Sequence, residues 1–144
     1  MSQSNNAFTL IELLVVIAII GFLSSVILLN MRGTRLEAHD AVIQSLLHDV
    51  RNLAELKYAE NNESYSFVCD EGDDTISNTG DLLILELAIK KENNNQDLTC
   101  IESVDKQAFA VSSPMRFLSD KHWCVQSAGT ALELDHFIIT PRCE

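Results

Sequence analysis

Residues 8–29 read FTLIELLVVIAIIGFLSSVILL, and Glu12 is the only charged residue among them. At about 1.5 Å of rise per residue the stretch makes a helix of roughly 33 Å, long enough to cross the hydrocarbon core of a bilayer. The segment therefore reads as a membrane span. An ionised carboxylate near the end of such a span costs about 2–3 kcal/mol unless something neutralises it, so Glu12 calls for a partner.

The chain has 144 residues, of which about 115 follow the apolar span, room for one small domain. Formal net charge is −11, and every charge except Glu12 lies beyond residue 30. So acidic a head argues against nucleic acid as a partner, because that binding relies on Lys and Arg neutralising phosphates. The four cysteines, Cys69, Cys100, Cys124 and Cys143, all follow the span, and none forms a CxxC pair. An even count in a small exported domain points to two disulfides. The competing reading is a zinc site of Cys124 with His122 or His136, which lacks the short paired spacing of structural zinc ligands.

Residues 1–7, MSQSNNA, form a polar leader without Lys or Arg. A secretory signal peptide would have a basic start, a shorter apolar run and a small-residue cleavage site after that run. Here the small residue, Ala7, precedes it. An ordinary signal anchor would leave Glu12 without a reason.

The string AFTLIELLVVIAIIG, residues 7–21, closely resembles the class III signal of type IV pilins and of the pseudopilins of type II secretion. The resemblance covers the first 20 to 25 residues of the apolar region and its flank. It implies cleavage by a prepilin peptidase between Ala7 and Phe8, N-methylation of Phe8, and Glu12 as the fifth mature residue, paired during filament assembly with a neighbour's new N-terminus. It also implies a pilin-like α+β fold, a long helix packed on a small antiparallel sheet. The implied partners are other pilin or pseudopilin subunits, an inner-membrane assembly platform with a motor ATPase, and membrane lipid. The implied location is the cytoplasmic membrane with an exported head, then an extracellular or periplasmic filament. The sequence departs from the family's usual pattern in having Ala7 where Gly is usual, no basic leader residue, and no Pro late in the span, leaving Gly21 and Ser24-Ser25 as its weak points.

Past the span, Leu36, Val42, Ile43, Leu46, Leu47, Val50, Leu53 and Ala54 recur at three- and four-residue intervals, extending the helix to about residue 60. Arg32 and Arg35 fall just beyond the span on the exported side, against the positive-inside tendency. The division expected is a leader (1–7), a membrane or filament-core helix (8–29), an amphipathic distal helix (30–60) and a disulfide-stabilised α+β head (61–144). Residues 61–80 read as loop, and within them Asp70, Glu71, Asp73 and Asp74 surround Gly72, a weak calcium candidate set against an ordinary solvated acidic loop. Residues 81–91 begin with Asp and end with Lys, as a helix prefers. Short strands are expected at 98–101, 107–112, 122–127, 131–134 and 136–140. Of three disulfide connectivities, Cys69 with Cys100 and Cys124 with Cys143 is favoured because each closes a local loop.

No HExxH, Gly-rich nucleotide loop or GxSxG occurs, so no catalytic residue and no cofactor is expected. His39 and His48 read as polar-face helix residues, His122 and His136 as strand or turn residues, and Trp123 as packing against a disulfide. Two functions fit: a structural filament subunit, or a membrane-anchored adhesin or binding module that does not polymerise.

Overall fold

A first helix, α1 (Leu10–Glu60), occupies 51 residues without interruption. The structure is a computed structural model, and it describes residues 8–70, 75–77 and 80–144. The chain divides into two units, Met1–Arg35 and Leu36–Glu144.

In the first unit the helix passes Gly21 and the Ser24-Ser25 pair as regular α-helix. Ser25 Oγ donates to the Phe22 carbonyl at 2.7 Å, so this hydroxyl is satisfied by its own helix. Leu10–Leu28 is apolar on every side, with none of its window buried.

In the second unit α1 buries Asp40, Ile43, Leu47, Val50 and Ala54, a three-and-four spacing that keeps one stripe facing inward. Each fully buried Ile, Leu or Val on it contributes about 1.5–3 kcal/mol. The stripe differs from the expected one at two positions: Val42 is exposed, and the buried position ahead of Ile43 belongs to a carboxylate, Asp40. Asn62 and Glu63, both at positive φ, end the helix, and Glu63 N–H donates back to the Tyr58 carbonyl at 3.0 Å. A second helix, α2 (Gly80–Glu92), starts at Gly80 with φ of 61°. It stops where Asn94 and Asn95 turn left-handed and Asn95 N–H reaches the Lys90 carbonyl. Its inward face carries Leu82, Ile89 and a buried Glu86, which Lys90 neutralises at 2.9 Å.

Four strands follow, β1 (Thr99–Glu102), β2 (Phe109–Pro114), β3 (His122–Gln126) and β4 (Ala131–Leu134), forming an antiparallel sheet in the order β1-β2-β3-β4. One face carries Cys100, Val111, Val125 and Ala131 in register, packed with the α1 stripe, α2 and Phe109. The opposite face carries Ala110, Cys124 and Leu134, covered by Ile138 and Cys143 of the C-terminal segment. With both faces covered, five of the six residues of β2 are buried. The fifth expected strand, 136–140, is absent; that segment is bends and coil. Its residues are strand-forming types, but Ile138 plugs the outer face of the sheet and the Cys124–Cys143 bond holds the chain there, in place of a ladder partner. Trp123 faces the helix-side core, away from that bond.

Asp40 ties α1 to the β2–β3 loop. Its carboxylate accepts the backbone N–H groups of Arg116 at 2.5 Å, Phe117 at 2.9 Å and Leu118 at 3.4 Å. Removing it orphans those donors, so Asp40→Ala should lower head stability by about 2–4 kcal/mol while Asp40→Asn costs less. Thermal melts of the detergent-solubilised chain followed by near-UV circular dichroism measure the difference; unchanged melting of Asp40→Ala would contradict it.

Candidate assembly interface

The N-terminus of α1 is closed by a reciprocal pair of hydrogen bonds. Thr9 backbone N–H and Thr9 Oγ1 donate to Glu12 Oε2 at 2.9 and 2.8 Å, and Glu12 N–H donates to Thr9 Oγ1 at 3.3 Å. This is a capping box, in which Thr at the cap and an acid three residues on satisfy amides that the helix leaves unpaired. The Thr9-x-x-Glu12 spacing before an apolar run was readable in the sequence, and the reading of Glu12 as a carboxylate seeking an outside partner passed over it. Oε1 of Glu12 makes no hydrogen bond to a described residue. The carboxylate is thus oriented by its own helix through one oxygen and open through the other.

Phe8, the residue before the box, is 86% exposed. Ala7, its partner in the expected cleavage site, lies outside the described residues. From Leu10 to Leu28 no large apolar side chain is buried; Leu10, Ile11, Phe22 and Leu28 are each more than 65% exposed. The surface is a continuous apolar cylinder, more than a soluble monomer tolerates.

In the head, Cys69 bonds to Cys100 and Cys124 to Cys143. The first joins the 61–79 segment to β1, beside a bridge between Cys69 and Ile76. The second consumes the thiol that the zinc reading required, which overturns that reading, and no group of metal-ligating side chains occurs among the described residues. Of the acidic loop only Asp70 is described, half-buried; Glu71, Asp73 and Asp74 lie outside the described residues.

The histidines are scattered. His39 is not a solvated polar-face residue: its Nδ1 lies 2.6 Å from Glu92 Oε2 at the end of α2. His48 is half-buried on α1. Burial holds His122 below the ordinary imidazole range, with His136 adding to the effect. Among the described residues, His39 and His48 lie on α1, whereas His122 and His136 are close enough to influence one another.

Fold and N-terminus together define a helix-anchored protein with a small disulfide-bonded α+β head. The family described as "Prokaryotic N-terminal methylation motif" matches residues 2–28. The chain is also similar to the type IV wide pilus major component PilA4 of Thermus thermophilus, 44% identical over 60 residues, which are 42% of this chain and 46% of that protein. The chain thus spans less than half the length of the curated relative it matches. No solved structure gives a significant match. The methylation motif and the pilin relative support a type IV pilin family for this chain.

The capping box carries a prediction of its own. Thr9→Val removes the accepting hydroxyl and should destabilise the first turn of α1 by about 1 kcal/mol. Amide hydrogen exchange at residues 10–13 in micelles reads the loss; exchange as slow as in the parent chain would rule out a capping role.

Proposed function

We propose that this chain is the structural subunit of a type IV pilus-like filament, processed between Ala7 and Phe8 and methylated on Phe8. The observation that carries the reading is the pairing of a fully exposed apolar helix with a capped, outward-facing Glu12 at its start. Before assembly the span lies in the cytoplasmic membrane; afterwards the same surface is covered by the spans of other subunits. Cleavage frees an α-amine four residues before Glu12, and it leaves the Thr9–Glu12 box intact because both partners lie beyond the cut. The amine of one subunit then meets Glu12 Oε1 of its neighbour in a low-dielectric bundle, where a paired carboxylate is far less costly than a lone one.

On this reading the prepilin peptidase makes the cut, an inner-membrane platform inserts subunits, and its motor ATPase supplies the work. The filament is extracellular or periplasmic. The wide-pilus relative favours a pilus over a secretion pseudopilin. The role is structural, and no catalysis or cofactor enters it.

Intact-mass and peptide spectrometry of the membrane-purified protein should find a mature chain beginning at methylated Phe8. A chain that keeps residues 1–7 supports the non-polymerising anchor instead. Glu12→Ala should insert into the membrane normally, yet leave each incoming amine unpaired at a cost of about 3–5 kcal/mol. Sheared filament should then be nearly absent on electron microscopy; parental filament yield from this variant would refute the pairing.

A further inference from the structure

Most of the basic side chains are engaged. Lys57 pairs with Asp81, Lys90 with Glu86 and Asp97, Lys106 with Glu102, and Lys121 with Asp135 and Glu133. Arg51 donates to the Gly129 carbonyl and Arg116 to the Glu92 carbonyl. Arg32 and Arg35 are exposed, lie three residues apart on α1, and make no ion pair to a described residue. Two adjacent, uncommitted guanidinium groups stand out on a chain with net charge −11.

The head carries a cleft of opposite character. An open cavity of about 290 Å³ is bounded by Glu37, Asp40 and Glu133, with Met115, Phe117 and Leu118 supplying apolar wall. Asp40 is spent on the backbone amides of the β2–β3 loop, so it fixes the wall and adds negative field. Glu37 is exposed. Phe117 is 48% exposed and offers a ring face. Lys121, which pairs with Glu133 of the rim, is held by Asp135 as well. An acidic rim above aromatic and thioether surface suits an arginine, whose stem packs on apolar groups while the guanidinium stacks and pairs.

We propose that the occupant is Arg35 of a second copy of this chain, with Arg32 one turn behind it. The proposal rests on the filament reading above and adds its axial register. Bringing the Phe8 amine of one copy beside Glu12 of the next offsets parallel helices by four residues, about 6 Å. The same offset sets Arg32 level with position 36 of the neighbour and Arg35 level with position 39, either side of Glu37 and next to Asp40. One displacement therefore pairs charges at both ends of the apolar span.

The test uses the full-length chain in its producing cells, scoring sheared filament against membrane-fraction subunit. Arg35→Glu and Glu37→Arg should each reduce filament yield by about tenfold or more at unchanged membrane level and unchanged disulfide content, since each sets like charges together. The double variant, Arg35→Glu with Glu37→Arg, should recover most of the yield. Single variants that assemble like the parent, or a double variant no better than the singles, would overturn the docking and leave the filament reading standing. A parent chain that forms no filament overturns both, and Glu12→Ala in the same assay reports on the N-terminal pair independently.

Discussion

The apolar surface of Leu10–Leu28 has no partner among the described residues, and the behaviour of the rest follows from that. Each large aliphatic side chain left in water forgoes about 1.5–3 kcal/mol, so a cylinder of this length cannot stay solvated. Lipid or other helices must cover it. Either environment lacks water to satisfy backbone groups, which makes the helix the only local structure available to residues 10–28. The same demand explains two polar details of the span. Ser25 spends its hydroxyl on the Phe22 carbonyl, and Thr9 with Glu12 closes the exposed amides of the first turn. At Ser25, Thr9 and Glu12 the helix itself thus satisfies the polar groups, with one carboxylate oxygen left over.

The head solves a different problem with the same helix. An antiparallel sheet commonly leaves one face in water, whereas here both faces are closed. The stripe of Ile43, Leu47, Val50 and Ala54 closes one, and the C-terminal segment through Ile138 closes the other. That segment has no strand pairing to hold it. Its position depends on the Cys124–Cys143 bond and on Cys143 N–H donating to Gln126 Oε1 at 2.7 Å. In the loop-entropy account such a cross-link contributes about 3 kcal/mol, a large share of a small domain's stability. Asp40 does comparable work on the helix side by replacing three missing loop hydrogen bonds.

Periodicity carried the sequence reading wherever an element buries one face. The 3.6-residue recurrence from Leu36 to Ala54 marked α1, and the Asp-to-Lys polarity of 81–91 marked α2 to within a residue at each end. Short runs set between turn residues marked the four strands, and 131–134 matches β4. The same signal misled at 136–140, where Phe137, Ile138 and Ile139 are strand-forming types but Ile138 caps a sheet face and the segment joins no ladder. Pattern alone does not distinguish a ladder from a plug. Asp40 escaped notice for a related reason: an acid on an apolar stripe reads as an error until the loop amides it serves are brought near by tertiary structure. Thr9 differs, since its role is local and the spacing to Glu12 was sufficient to reveal it. His39 needed the end of α2 to be placed before its partner Glu92 was visible.

Apolar packing provides adhesion between spans but little axial register. A cylinder of Leu, Ile and Val can slide along its neighbour by a residue or two with small change in buried area, as uniformly apolar helical seams do. Acidic heads add no register either, since repulsion among them is long-ranged and weakly dependent on small shifts. Register must come from short-ranged polar groups whose misplacement is costly, and the chain has these at the two ends of the span, Glu12 at one and Arg32 with Arg35 at the other. In low dielectric a charge that loses its partner costs several kcal/mol, whereas an apolar contact shifted by one residue loses only a fraction of that. Two sparse polar features framing an otherwise featureless surface are therefore sufficient to select one alignment from many. They act chiefly by penalising every other register.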